Sequence, residues 1–195
     1  MKVAITGHTR GIGKAIADLL ASQGHTIVGI SRSTGHDLTI ESQYNAALEL
    51  ITNCDIFVNN ALPMDTEPHR HQAFIPFELL YKIHRRWKGN GNKLIIVIGS
   101  GASDSPLGDD RPYQVGKIAL DAACHQLRKY PRIVLVKPGC TDTDSVKSFN
   151  EVKMDPIEVA NTINFCIQSM NDVYISEITV LPGKKYYDKP ATTSS

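Results

Sequence analysis

The run Lys2-Val-Ala-Ile-Thr-Gly-His-Thr-Arg-Gly-Ile-Gly-Lys-Ala-Ile-Ala-Asp-Leu-Leu-Ala-Ser-Gln23 reads as three elements in immediate succession. Lys2 to Thr6 is short and apolar, as a buried strand is. Lys14 to Gln23 carries apolar residues at helical spacing. Between them, Gly7, Gly11 and Gly13 make a turn in which the backbone can take positive φ and approach a ligand closely. The helix that follows presents free N–H groups and the positive end of its dipole to that turn, which favours a pyrophosphate. The spacing is G-x-x-x-G-x-G rather than the commoner G-x-G-x-x-G. Strand, glycine turn and helix together point to a dinucleotide site, with Thr9, Arg10 and Ile12 in the turn.

Outward from this stretch, strand-like runs recur at Thr26 to Ser31, Asp55 to Asn59, Lys93 to Gly99, Arg132 to Lys137 and Tyr174 to Leu181. Helical patterns fall between them, at Glu41 to Thr52, Phe77 to Trp87, Pro112 to Lys129 and Pro156 to Met170. Such alternation predicts an α/β fold, a doubly wound parallel sheet of six to seven strands with helices on both faces. Asp155 is placed to cap the last helix, Pro156 suits its first position, and Glu158 completes a capping-box pattern. Residues 1–188 read as a single domain and 189–195 as a loose tail. Only four residues separate Ser31 from His36-Asp37-Leu38, too few for a helical crossover of roughly a dozen residues. That short segment is expected to be an extended edge.

Tyr113 and Lys117 stand four apart in a helical stretch, so both side chains lie on one face, one turn apart. An ammonium beside a phenol favours the phenolate, and a tyrosine of ordinary pKa about 10 needs such help to act as acid and base near neutral pH. Ser100 closes the apolar run thirteen residues before Tyr113.

These motifs, in this order, resemble the short-chain dehydrogenase/reductase family nearly end to end, in a compact NADP-type form. Thr6 to Gly13 matches its T-G-x-x-x-G-I-G loop, and Asn59, Asn60 and Ala61 match its N-N-A segment. Ser100, Tyr113 and Lys117 fall at its catalytic positions, Pro138 and Gly139 at its P-G segment, and Thr143 at its usual threonine. The resemblance implies a Rossmann-type fold and hydride transfer between a nicotinamide and a carbonyl or alcohol. Tyr113 is then the proton donor and acceptor, Ser100 holds the substrate oxygen, and Lys117 tunes the tyrosine and holds the nicotinamide ribose. Pro138, Gly139, Thr141 and Thr143 line the nicotinamide end, and Asp37 and Leu38 lie at the adenine. Leu62, Pro63, Met64, Gly101, Ala102, Cys140 and the short lid Asp144 to Lys153 form the substrate wall. A homodimer or homotetramer is implied, with contact through the helix that begins at Pro112. The segment from Ala61 to Lys93 looks short for the family's long helix there, and the asparagine of its proton relay is unmatched, since Asn90 and Asn92 sit in a turn.

At the end of the second strand a carboxylate would accept from the ribose hydroxyl of NAD, whereas an arginine pairs with the phosphate of NADP. Ser31 and Arg32 stand there, and Arg10 faces the same phosphate from the turn. NADP(H) is favoured over NAD(H). The chain of 195 residues has a formal charge of +1 and 42% hydrophobic content, enough for a sizeable core and with no basic excess for nucleic acid. No window reaches the length of a membrane span, and the N-terminus lacks a signal-peptide layout. Cys54, Cys124, Cys140 and Cys166 are scattered, which suits reduced thiols in the cytoplasm and no metal site. His69-Arg70-His71 lacks a third ligand at matching spacing. The basic run Lys82 to Lys88 reads as a solvated helix face, with Phe77, Tyr81 and Trp87 packing on the sheet or a partner subunit. A non-catalytic NADP-binding or redox-sensing protein, or an epimerase or dehydratase, would use the same scaffold.

Overall fold

In the computed structural model, residues 1–63, 70–104 and 112–188 are described. Six parallel strands form one sheet in the order β2-β1-β3-β4-β5-β6. They are β1 (Lys2–Thr6), β2 (Thr26–Ile30), β3 (Ile56–Asn59), β4 (Leu94–Ile98), β5 (Arg132–Pro138) and β6 (Glu177–Val180). The helices are α1 (Gly11–Ser22), α2 (Glu41–Thr52), α3 (Arg70–Trp87), α4 (Tyr113–Leu127), α5 (Pro156–Gln168) and the single turn α6 (Lys184–Tyr187).

The inner strands β1, β3, β4 and β5 are buried along most of their length because both faces of the sheet are covered there. Ala4, Phe57, Ile95, Val97, Ile133 and Leu135 point into a core shared with α2, α3 and α4. Their neighbours Val3, Ile5, Ile56, Val58, Ile96, Val134 and Val136 pack on the other face against α1 and α5. Trp87 is buried in the first of these cores and donates its indole N–H to the Thr52 carbonyl at 3.1 Å. Cys54, Cys124 and Cys166 are buried free thiols and Cys140 is half-buried.

Three expectations change. His36 to Leu38 pairs with no strand among the described residues; the chain turns through a short 3-10 helix, Arg32–Thr34, and Leu38 drops into the core ahead of α2. The helix before β4 starts at Arg70 rather than Phe77 and has 18 residues, with Pro76 inside it. A proline removes one intrahelical bond and crowds the carbonyl four residues back, which reads as a break in sequence. Here the Asn59 amide donates to the Pro76 carbonyl at 2.7 Å and ties that turn to β3. Asp155 caps α5 as expected, accepting from the Ile157 N–H at 3.0 Å. Glu158 does not complete a capping box, because its carboxylate pairs with Lys185 and accepts from the Tyr186 hydroxyl at 2.9 Å.

Candidate active site

The strand order reverses direction at β1, whose neighbours are β2 and β3, and a crevice opens beyond the carboxyl ends of these strands. The residues singled out from the sequence gather along that edge. Thr6 ends β1 fully buried, and its hydroxyl accepts from the N–H groups of Asn60 and Ala61, each at 2.9 Å. Asn60 returns the tie, its amide donating to the Thr6 carbonyl at 2.9 Å. The glycine turn is thereby fixed to the end of β3.

Within the turn, Gly7 and Gly11 have φ of 70° and 52°, the left-handed region that side chains disfavour. Gly13 is required by contact: a Cβ there would lie 2.1 Å from the Gly7 carbonyl oxygen. Arg10 precedes α1 in extended conformation with no side-chain cap, and the first turn of α1 holds no acidic residue. The N-cap side chain thus does not satisfy the leading N–H groups of α1, where the positive end of the helix dipole lies. A cleft of 330 Å³ lies against this helix start, lined by Gly11, Lys14, Ala15, Asp18, Asp142, Thr143, Asp144 and Pro156. Thr143 approaches closely enough that a Cβ on Gly11 would be 3.0 Å from its methyl.

At the end of β2, Ser31 shares hydrogen bonds with Ser33 and Thr34, and Arg32 is exposed. Asp37 accepts from the Thr39 N–H and hydroxyl at 2.9 and 2.8 Å, so its carboxylate also shapes the loop. Asn59 is buried, and its amide serves α3. Pro138 ends β5, the Gly139 N–H donates to Val180 at 2.8 Å, and the Thr141 hydroxyl donates to the Gly139 carbonyl at 3.0 Å.

Ser100 lies just past β4, 8% exposed, with its Oγ accepting from the Ala102 N–H at 3.1 Å. Tyr113 opens α4, and Lys117 follows one turn on with its Nζ 5.7 Å from the Tyr113 ring centroid. The Lys117 ammonium is buried and donates to the Ile98 carbonyl, the last of β4, at 2.7 Å. Burial pushes its pKa down to about 8, while the Asp121 carboxylate opposes the fall. Gln114 donates to the Ala102 carbonyl at 2.9 Å, pinning the start of α4 to the segment after Ser100. Leu62, Pro63, Gly101 and Ala102 are half-buried along the same edge. Met64, His69 and the tail from residue 189 lie outside the described residues. Asn90 follows α3 and Asn92 precedes β4, at the edge of the sheet opposite Ser100.

Solved structures share this architecture. The 3-alpha-hydroxysteroid dehydrogenase from Pseudomonas sp. B-0831, complexed with NADH, superposes with a TM-score of 0.76 at 20% identity, over 96% of this chain and 98% of that one. The closed form of a serine dehydrogenase complexed with NADP+ gives 0.75 at 18% identity, over 100% and 99% of the two chains. An alcohol dehydrogenase from the archaeon Thermococcus sibiricus, complexed with 5-hydroxy-NADP, gives 0.70 at 20% identity, over 92% and 95%. The chain has the short-chain dehydrogenase fold. No family model matches the sequence, and no curated protein does.

Residues that the sequence reading passed over also shape the site. The His8 ring lies over β2, so that a Cβ on Gly29 would be 2.2 Å from its Nε2. Asp121 continues the Tyr113, Lys117 stripe by one more turn, and Lys137 follows directly on the apolar run Ile133 to Val136 of β5. Spacing signalled the first and composition the second. Among the described residues no group of three or more His, Cys, Asp or Glu side chains is placed to hold a metal, and no helix is long and apolar enough to cross a membrane.

Proposed function

We propose that this chain is a short-chain dehydrogenase/reductase, an NADP(H)-dependent oxidoreductase that interconverts a carbonyl compound and an alcohol. The observation that carries the reading is the Lys117 ammonium, buried within reach of the Tyr113 ring at the same sheet edge as the glycine turn. A surface helix pair would leave the lysine in water.

The residues present fit a nicotinamide dinucleotide. Gly13 lets the turn close tightly on the start of α1, where a side chain would collide with the Gly7 carbonyl, and the uncapped start of α1 supplies donors for the pyrophosphate. Arg10 and Arg32 would take the 2'-phosphate, with Gly7, Thr9, Ile12, Ser31, Asp37, Leu38, Asn60 and Ala61 around the adenosine half. Pro138, Gly139, Thr141 and Thr143 would line the nicotinamide half. When bound, this cofactor supplies the hydride chemistry. Tyr113 gives a proton to the substrate oxygen in reduction and takes it in oxidation. Lys117 favours the phenolate by its charge. Ser100 donates to the substrate oxygen and stabilises the charge that develops there.

The dehydrogenases of this fold described above were solved with NADH, NADP+ and 5-hydroxy-NADP, and this supports a nicotinamide here. The choice of NADP rests on Arg10 and Arg32. Phe74 on α3 and Val115 and Ile118 on α4 are exposed apolar residues, which supports a dimer through α4. The test is NADPH oxidation, followed at 340 nm, with a panel of aldehydes and ketones. Turnover of at least one of them that exceeds turnover with NADH is expected. Tight NADPH binding with no turnover of any carbonyl would favour a cofactor-sensing protein, a reading to which the absence of an asparagine at the relay position lends weight.

A further inference from the structure

Beneath Tyr113 and Lys117 lies a set of charges that the proposed reaction does not use. Asp121 is 9% exposed, one turn past Lys117 on α4. Its Oδ2 accepts from the Ser103 hydroxyl at 2.5 Å and faces the Lys137 ammonium at 3.4 Å. Its Oδ1 is buried and has no hydrogen-bond partner among the described residues. Lys137, in β5, is 5% exposed and also pairs with Asp104 and, at 3.7 Å, with Glu177. Burial alone would lower its pKa, but Asp104 and Asp121 hold it raised, so Lys137 has carboxylates of its own.

Lys117 is placed differently. Its ammonium donates to the neutral Ile98 carbonyl at 2.7 Å, and the Asp121 carboxylate, one turn further along α4, opposes the fall in its pKa. The next residue, Gly99, makes room for that carboxylate. A Cβ there would stand 3.1 Å from Asp121 Oδ1 and 3.1 Å from the Lys137 stem. The end of β4 therefore brings two lysines and one shared carboxylate together. A dry ammonium with only a carbonyl acceptor gives up its proton readily, and a nearby anion opposes this.

We propose that Asp121 is a positioning residue, whose carboxylate is the countercharge that keeps the Lys117 ammonium charged, and that Lys137 and Ser103 fix that carboxylate in place. Its consequence for Tyr113 rests on the dehydrogenase reading above; its effect on Lys117 does not. The groups facing Asp121 are Lys117 and the Cys124 thiol from α4, Lys137 from β5, and Ser103 and Asp104 from the turn after β4. Behind Lys137 stand Glu177 of β6 with His125 and Arg128.

The test follows the titration of Lys117 by NMR in the full chain with ¹³C-labelled lysine ε-carbons, its resonance assigned as the one missing from Lys117→Met. Asp121→Asn should lower the Lys117 midpoint from its wild-type value by about one pH unit or more, tenfold in proton affinity. Lys137→Met should leave the midpoint unchanged or raise it, because the carboxylate is then no longer shared. If Asp121→Asn does not fold, the charge-balanced double variant Asp121→Asn/Lys137→Met should show its midpoint lower than that of Lys137→Met by the same amount. A midpoint within about 0.3 unit of wild type in the Asn variant, or an equal fall in Lys137→Met alone, would overturn the proposal, since Asp121 would then serve packing only. The titration is readable in a protein that reduces nothing, so it fails or succeeds apart from the enzymatic reading.

Discussion

At the β1 end of the cleft the chain is held by backbone contact, and at the β4 end by buried charge. Around the glycine turn, Gly13 lies so near Gly7 that any side chain collides, and Thr6 and Asn60 lock the turn to β3 with uncharged hydrogen bonds. Around Ser100 the contacts that matter involve Lys117, Asp121 and Lys137, all nearly buried. Shape is insensitive to pH, salt and small changes of electrostatics. Charge in a dry site answers to all three. The difference suits the tasks assigned to the two ends, since a pyrophosphate cradle needs fixed donors whereas a proton-transfer site needs an ionisation poised near working pH.

The comparison breaks most visibly at Gly13. Gly13→Ala places a methyl where the Gly7 oxygen already sits, and is expected to cost about 3 kcal/mol or more and to abolish cofactor binding at every pH. Thermal melts and NADPH fluorescence titration across pH would show it. A variant that binds normally would mean that the turn is not held by shape.

Lys117→Met sharpens the other half. The Lys117 pKa, pushed down to about 8, lies below the ordinary lysine value near 10.4. The folded chain thus binds this proton less well than the unfolded chain, and the ammonium destabilises the fold wherever both states are protonated, below pH about 8. That cost is relieved as pH rises toward about 10. Lys117→Met should therefore be more stable than wild type at neutral pH, by on the order of 2 kcal/mol or a few degrees in Tm, and the gain should shrink between pH 8 and 10. Melts over that range are the check. A gain that does not change with pH would mean the methionine merely packs better.

Arg10→Ala and Arg32→Ala act at the exposed rim of the first region, where the effects are smaller. Each should weaken NADPH binding about tenfold, in a salt-dependent way, and leave NADH binding nearly unchanged. Fluorescence titration with both cofactors measures this. Equal losses for the two would remove the basis for an NADP preference.

Legibility in the sequence divides along the same line. The glycine turn and the Tyr113, Lys117 pair were visible because both are local spacings that a strand, a turn or a helix converts directly into geometry. The first seven residues of α3 were hidden by Pro76, whose helical cost shows in sequence while its tie to Asn59 does not. Leu38 reads in sequence as part of an extended edge because a short apolar segment looks alike as a strand or as a core plug. Glu158 had the local pattern of a capping box but found Lys185 and Tyr186, partners remote in sequence. Asp121, Lys137 and Glu177 lie on three elements, and only the parallel pairing of β4, β5 and β6 with α4 packed on them brings the three together. A lysine directly after the apolar run Ile133 to Val136 is the available clue.

The most direct test of the account compares wild type with Tyr113→Phe, in NADPH turnover on the best substrate of a carbonyl panel and in NADPH affinity. The substitution removes the hydroxyl and keeps the ring, so turnover should fall by about a thousandfold or more while affinity changes less than about twofold. Near wild-type turnover in Tyr113→Phe, or an equal loss of binding and turnover, would contradict the assignment of Tyr113 as the group that moves the substrate proton.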